Sequence, residues 1–261
     1  MQPAIVITGA SSGLGVEFAK LAVGQGATLV LVARSTAELE ALAQQLEAGG
    51  QRAVPLSLDL SDAGAGAVLA RELAARELYC DVLINNAGYG LFGDTIALDR
   101  ERQLGIIDLN VRAASDLMLR VLPEMLKRRR GRILNVSSVA GFAPGPRMAL
   151  YYASKAYLTS LSQALAAENR NSGVTITCLC PGPVKTPFLS RAGANKADLF
   201  RLFPKQTAEQ VARAGWAAMQ AGETVCIPGL LNKINVALIG LMPRAAILAL
   251  VSVLQRNRRT A

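Results

Sequence analysis

A chain of 261 residues and 27.5 kDa is long enough to bury the core of one large α/β domain. It contains no histidine, which excludes Ser-His-Asp and Cys-His mechanisms and leaves proton transfer to Tyr, Lys, Ser, Cys or a carboxylate. A net charge of +9 suits an anionic ligand or surface, but the cations are scattered or confined to helix ends and the tail, which argues against nucleic acid.

The mean hydropathy of +0.30 comes mostly from Ala, Val, Ile and Leu, the composition of parallel strands covered on both faces. Ala4–Thr8 is a short apolar run that ends in Gly9, Ala10, Ser11, Ser12, Gly13, Leu14 and Gly15, followed by a helical pattern to about Gln25. Strand, glycine turn and helix together offer backbone N–H groups and a helix N-terminus to a pyrophosphate. A second run, Thr28–Ala33, ends at Arg34-Ser35. An acid at such a tip would take a ribose 2′-hydroxyl, whereas an arginine suits a 2′-phosphate, so NADP(H) is expected over NAD(H), which stays possible. Ser35 and Glu38 are spaced as a capping box for the next helix.

Ala53–Leu58 reads as a third strand closed by Asp59-Leu60, where Asp59 either accepts from the adenine amino group or starts the following helix. Asp81–Ile84 is a fourth, running into Asn85, Asn86, Ala87 and Gly88, where a chain can pass close to a ribose. Asp99 to about Arg129 is expected to be one long helix carrying Asn110 at a depth where an amide needs partners. Arg132–Ser137 and Val174–Cys180 are the fifth and sixth strands, with Ser138 at the tip of one and Pro181-Gly182 after the other. Strands alternate with helices throughout. The expected fold is therefore a Rossmann-like, doubly wound parallel sheet of about seven strands with helices on both faces.

Cys178 and Cys180 alternate with Leu179 in a strand pattern, and Cys80 and Cys226 stand apart, so reduced core cysteines and no metal site are expected. With the first strand beginning almost at once, no secretion signal is expected and the cytoplasm is the expected compartment. The region from about 186 to 206 lacks a firm period and is expected to be a flap over a substrate. Thr207 and Gln210 cap a further helix, and Thr224–Ile227 is a last strand. Residues 1–228 thus form one catalytic domain and 229–261 a hydrophobic extension. Asn235–Met242 and Ala245–Leu254 are nearly all apolar, split by Pro243-Arg244 and followed by Arg256, Arg258 and Arg259. Each piece is too short to span a bilayer. Peripheral membrane contact through 235–259, a cover on a partner subunit and a cover on the substrate pocket all remain open.

Thirteen residues after Ser138, the stretch Tyr151-Tyr152-Ala153-Ser154-Lys155 opens a helix. Tyr151 and Lys155 are four apart and share one face. A phenol has a pKa of about 10; an ammonium beside it would lower that value toward a useful working range. By itself the pair is equally compatible with an ordinary amphipathic helix.

Taken together, Thr8–Gly15, Asn85-Asn86-Ala87-Gly88, Asn110, Ser138, Tyr151/Lys155 and Pro181-Gly182 resemble, in order and spacing, the short-chain dehydrogenase/reductase family over about residues 4–228. The resemblance implies hydride exchange between a nicotinamide and a carbonyl or alcohol. It also implies an Asn110-Ser138-Tyr151-Lys155 tetrad: Tyr151 the proton donor, Ser138 holding the substrate oxygen, Lys155 on the nicotinamide ribose and Asn110 holding a water. Val184 and Thr186 would anchor the carboxamide, and a homodimer or homotetramer is implied. The long tail departs from acyl-carrier reductases and favours an apolar ketone, aldehyde, steroid-like or lipid substrate over a 3-oxoacyl thioester. Phe142, Met148, Phe188 and Leu189 are the candidate pocket residues. A nucleotide-binding sensor or scaffold without turnover is the alternative from another class.

Overall fold

Strand β1 (Gln2–Thr8) sends Ala4 and Val6 into one apolar layer and Ile5 and Ile7 into the other. Both faces are covered, which is why the run is apolar throughout instead of alternating with polar residues. This is a computed structural model, and it describes residues 1–194 and 205–255. Strand β2 (Thr28–Ala33) pairs with β1 from Ala4–Thr28 to Thr8–Val32, and β3 (Ala53–Ser57) lies outside β2. On the other side of β1 come β4 (Leu78–Asn85), β5 (Gly131–Val136) and β6 (Val174–Leu179). A separate short pair, β7 (Val184–Lys185) with β8 (Gln206–Thr207), precedes β9 (Val225–Cys226). The main sheet is parallel, in the order β3-β2-β1-β4-β5-β6-β9. The order reverses between β1 and β4, and a crevice opens at their carboxyl ends.

Three helices cover the Ile5/Ile7 face. These are α1 (Leu14–Leu21), α2 (Thr36–Ala48) and, later in the chain, Ala208–Ala221, packed through Phe18, Leu39 and Val211. Helix α3 (Ala65–Ala75) covers the opposite face, with α4 (Arg100–Ile107) leading through a π-helical turn, Asp108–Ala113, into α5 (Ala114–Arg128). Helix α6 (Ala149–Glu168) completes that layer with Leu158 and Leu165. Each such large side chain stabilises the sheet by roughly 1.5–3 kcal/mol. The short α7 (Phe188–Arg191) precedes α8, the Ala208–Ala221 helix. The chain then forms α9 (Leu230–Leu241) and α10 (Arg244–Leu254).

Several local expectations change. Ser35 occupies the N-cap of α2 but makes no side-chain cap bond, so the Ser35/Glu38 capping box does not form. The Thr207/Gln210 box does, in both directions. The single long helix from Asp99 is interrupted by the π turn, which inserts a residue around Asn110, a change that a 3.6-residue apolar period cannot reveal. Strand β9 has two residues where four were expected. Of the expected flap, residues 195–204 lie outside the described residues, as do Arg256, Arg258 and Arg259 of the tail. The four cysteines are free, with Cys178 in β6 and Cys180 just after its end, their sulfurs 3.6 Å apart. Among the described residues no helix is long and apolar enough to cross a membrane.

Candidate active site

The loop after β1 requires glycine at two places. Gly13 is the N-cap of α1 at φ 58°, a region side-chain-bearing residues rarely adopt. A Cβ on Gly15 would lie 2.2 Å from the Gly9 carbonyl oxygen, so only hydrogen lets α1 start this close to the loop. The loop then presents the unpaired N–H groups of a helix N-terminus to the crevice. Its position is set from β4. The Thr8 hydroxyl accepts from the backbone N–H groups of Asn86 and Ala87, both at 2.9 Å, and donates to the Ile84 carbonyl at 3.2 Å. Asn86 returns a bond from Nδ2 to the Thr8 carbonyl at 2.8 Å. The two strand tips at the switch point are thereby locked together.

The crevice continues into a cavity of about 710 Å³. Gly9, Ser11, Ser12, Gly13 and Leu14 form one wall, and Arg34, Asp59 and Leu60 close one end. Asn86, Ala87 and Gly88 lie along the middle, and Pro181, Gly182, Val184 and Thr186 face them beside Ser138, Tyr151 and Lys155. Arg34 is mostly exposed, its Nη1 3.8 Å from Asp59 Oδ2. Asp59 caps no helix. Burial raises its pKa, but hydrogen bonds from the Ser61 hydroxyl and backbone N–H, with Arg34 nearby, bring the net shift below the usual value.

Three expected site residues stand outside the cavity wall. Asn85 is turned into the core, where Nδ2 donates to Asn135 Oδ1 at 3.0 Å and to the Ala114 carbonyl at 3.2 Å, so it braces β4 against β5 and α5 and does not line the cavity. Gly15 is buried behind the loop it permits. Asn110 sits behind Gly88, with Oδ1 accepting from Tyr89 N–H at 3.1 Å and Nδ2 donating to the Tyr89 carbonyl at 3.0 Å and to Ser154 Oγ at 3.1 Å. Its side-chain amide is committed to holding the Gly88–Tyr89 segment, which limits the part that side chain can play in binding a water. The π turn and this amide occupy the same position, because the extra residue carries Asn110 inward.

Ser138, Tyr151 and Lys155 do meet. Ser138 caps the 3-10 turn Val139–Phe142, accepting from Ala140 N–H at 3.1 Å. Burial pushes the Tyr151 phenol up to about 12, and the neighbouring Ser138 hydroxyl pulls in the opposite direction. Lys155 lies 5.7 Å from the Tyr151 ring and donates from Nζ to the Val136 carbonyl at 2.8 Å. Burial lowers its pKa to about 8, against small opposing effects of Cys178 and Cys180. The phenol is therefore shifted upward where the helix spacing predicts a lowering: burial outweighs the hydrogen bond with Ser138. Among the described residues no group of three or more Cys, Asp or Glu gathers as a metal site would require.

Other residues reach the cavity without any signal in the local sequence. Arg191 of α7 donates from Nη1 to Ser12 Oγ at 3.1 Å, which puts a second cation beside the glycine loop. Phe188 and Leu189 line the cavity as expected, whereas Phe142 and Met148 do not. Arg147 pairs with Asp94 at 3.4 Å, away from the cavity. The tail forms the roof: Val236 and Ile239 of α9, Met242 just after it, and Ile247, Val251 and Leu254 of α10 all line it. Of the three readings left open for the tail, the described residues support a cover on the pocket.

A family model described as short chain dehydrogenase matches residues 3–197. An uncharacterized oxidoreductase of Myxococcus xanthus is 38% identical over 181 residues, covering 69% of this chain and 72% of that one. A fatty acyl-CoA reductase of Acinetobacter baylyi is 34% identical over 209 residues, covering 79% and 69%. Among solved structures, a short-chain dehydrogenase from Sphingobium yanoikuyae in complex with NADPH superposes with a TM-score of 0.79 at 33% identity, covering 92% of this chain and 94% of that one. The family model's match ends before the hairpin of α9 and α10 begins.

Proposed function

Because the chain belongs to the short-chain dehydrogenase/reductase family of oxidoreductases, we propose that it exchanges a hydride between NADP(H) and an apolar carbonyl or alcohol. The observation that carries this reading is the convergence of Ser138, Tyr151 and Lys155 on one cavity, walled by a phosphate-type glycine loop and roofed by aliphatic side chains. The loop and the long crevice fit a dinucleotide, with Arg34 at the end where a 2′-phosphate would lie. Arg191 adds charge beside the pyrophosphate position. When bound, the nicotinamide supplies or takes up the hydride.

The chain's own residues handle the oxygen. Tyr151, held neutral up to about 12, carries its proton at physiological pH and donates it to the carbonyl oxygen as charge develops there. Ser138 donates a hydrogen bond to that same oxygen and fixes its position. Lys155 reaches the floor beside Gly88 and contributes positive charge below about pH 8. The apolar roof favours a ketone, aldehyde, steroid-like or lipid substrate, in keeping with the similarity to a fatty acyl-CoA reductase. The exposed Leu119 of α5 and Tyr157 of α6 offer a surface for the self-association the family implies.

Purified protein incubated with NADPH and a panel of apolar ketones, aldehydes and acyl thioesters, followed at the nicotinamide absorbance, tests the reading. Consumption with an apolar carbonyl is expected. Tight NADPH binding with no consumption across the panel would instead favour a nucleotide sensor.

A further inference from the structure

The roof of the cavity has a second apolar side. On α9, Leu230, Leu231, Ile234, Leu238 and Leu241 are exposed, from 45% for Ile234 to 84% for Leu241. At 3.6 residues per turn these five fall within an arc of about 100°. Val236 and Ile239, which line the cavity, occupy the opposite arc, whereas Leu238 is half-exposed in the outer arc and also lines the cavity. On α10, Leu248 and Val253 are exposed while Ile247 and Val251 are buried. A cover for the cavity needs only its inner stripe, so the outer stripe calls for an occupant of its own.

Charge selects that occupant. From Gly229 to Ala261 the chain carries Lys233, Arg244, Arg256, Arg258 and Arg259 and no Asp or Glu. Two copies of such a face would bring cations against cations without a carboxylate between them. Anionic headgroups complement them, at about 1 kcal/mol for each cation near the surface, roughly a fivefold change in partition. The two helices, of 12 and 11 residues, are too short to span a bilayer but suited to lying in its interface. Lys233 borders the apolar arc and Arg244 opens α10, so the described cations lie beside the exposed leucines.

We propose that the outer face of the α9–α10 hairpin docks on an anionic lipid surface. The hairpin's inner face would then hold the cavity roof against the membrane, where apolar carbonyl compounds concentrate. The docking itself does not depend on the reaction, and it is read without substrate.

The full chain is mixed with vesicles of phosphatidylcholine alone or of phosphatidylcholine with phosphatidylglycerol, and flotation is measured at low and high salt. Flotation with the anionic vesicles is expected, weaker by roughly tenfold or more on phosphatidylcholine alone and reduced by salt. The double variant Ile234→Asp/Leu241→Asp is expected to lose roughly tenfold or more of the binding while NADPH binding is kept. Lys233→Glu/Arg244→Glu, which changes only exposed cations, is expected to lose as much. Absence of flotation by the wild type, or unchanged flotation of either variant, would overturn the proposal. So would a concentration-dependent dimer that Ile234→Asp/Leu241→Asp dissociates, since a second copy would then cover the face.

Discussion

Gln255, just past the end of α10, donates from Nε2 to the Tyr152 hydroxyl at 2.7 Å, and both side chains are buried. This bond pins the end of α10 to the helix that carries Tyr151, one residue away from the proposed proton donor. Tyr152, which neighbours the proposed donor and could be mistaken for it, thus has a structural partner of its own.

Removing the Tyr152 hydroxyl leaves the buried Gln255 amide without that partner. Tyr152→Phe is expected to destabilise the fold by about 1–3 kcal/mol in urea unfolding. A looser roof is expected to raise KM for an apolar carbonyl several-fold with kcat largely kept. Gln255→Leu, which removes the amide, is expected to cost less stability than Tyr152→Phe while raising KM in the same way. A collapse of kcat in either variant would mean that Tyr152 belongs to the proton-transfer group.

Tyr151→Phe is expected to behave differently. Loss of a positioned general acid lowers turnover by about 10²–10⁴-fold. Because Ser138, Lys155 and the glycine loop remain, NADPH binding by fluorescence titration is expected to stay close to that of the wild type. If Tyr152→Phe proved the more damaging of the two to kcat, the donor would be misassigned.

Burial holds Lys155 at about 8, below its usual value of 10.5. Between these pH values the unfolded chain binds the proton that the native chain has released, so this lysine makes stability rise with pH through that window. Below about 8 its burial cost is present in full. Lys155→Met is therefore expected to lose turnover while unfolding at a higher urea concentration than the wild type at neutral pH, and the gap is expected to narrow at about pH 10. In the wild type, kcat/KM for reduction is expected to fall above about pH 8, as the free enzyme's Lys155 loses its charge. A stability gap independent of pH would show that Lys155 is not buried as an ammonium.

In the proposed reading the two arginines at the cavity would hold different parts of the cofactor, Arg34 the 2′-phosphate and Arg191 the pyrophosphate. Arg34→Ala is expected to raise the Kd for NADPH by about 10- to 100-fold, the value of a lost charge-assisted contact, with little change for NADH. Arg191→Ala, beside Ser12, is expected to weaken both cofactors by a similar and smaller factor. Isothermal titration with each nucleotide separates the cases. An equal loss for NADPH and NADH in Arg34→Ala would remove the basis for an NADP(H) preference.

The order of strands and helices, the phosphate loop and the Tyr151/Lys155 pair were legible in the sequence. Each depends on neighbours within a few positions: a glycine that permits a turn, an apolar run that feeds a helix, two side chains one helical turn apart. Tertiary structure decided the rest. Arg191 meets Ser12 across 179 positions and Gln255 meets Tyr152 across 103, and no local period records such contacts. Asn85 and Asn110 stand in motif register yet turn into the body, because a buried amide is satisfied by whatever backbone packing brings beside it. Folding also reversed the direction of the Tyr151 shift. Sequence spacing put an ammonium near the phenol, but only the packed chain set how much water both groups would lose, and burial raised the phenol and lowered the amine.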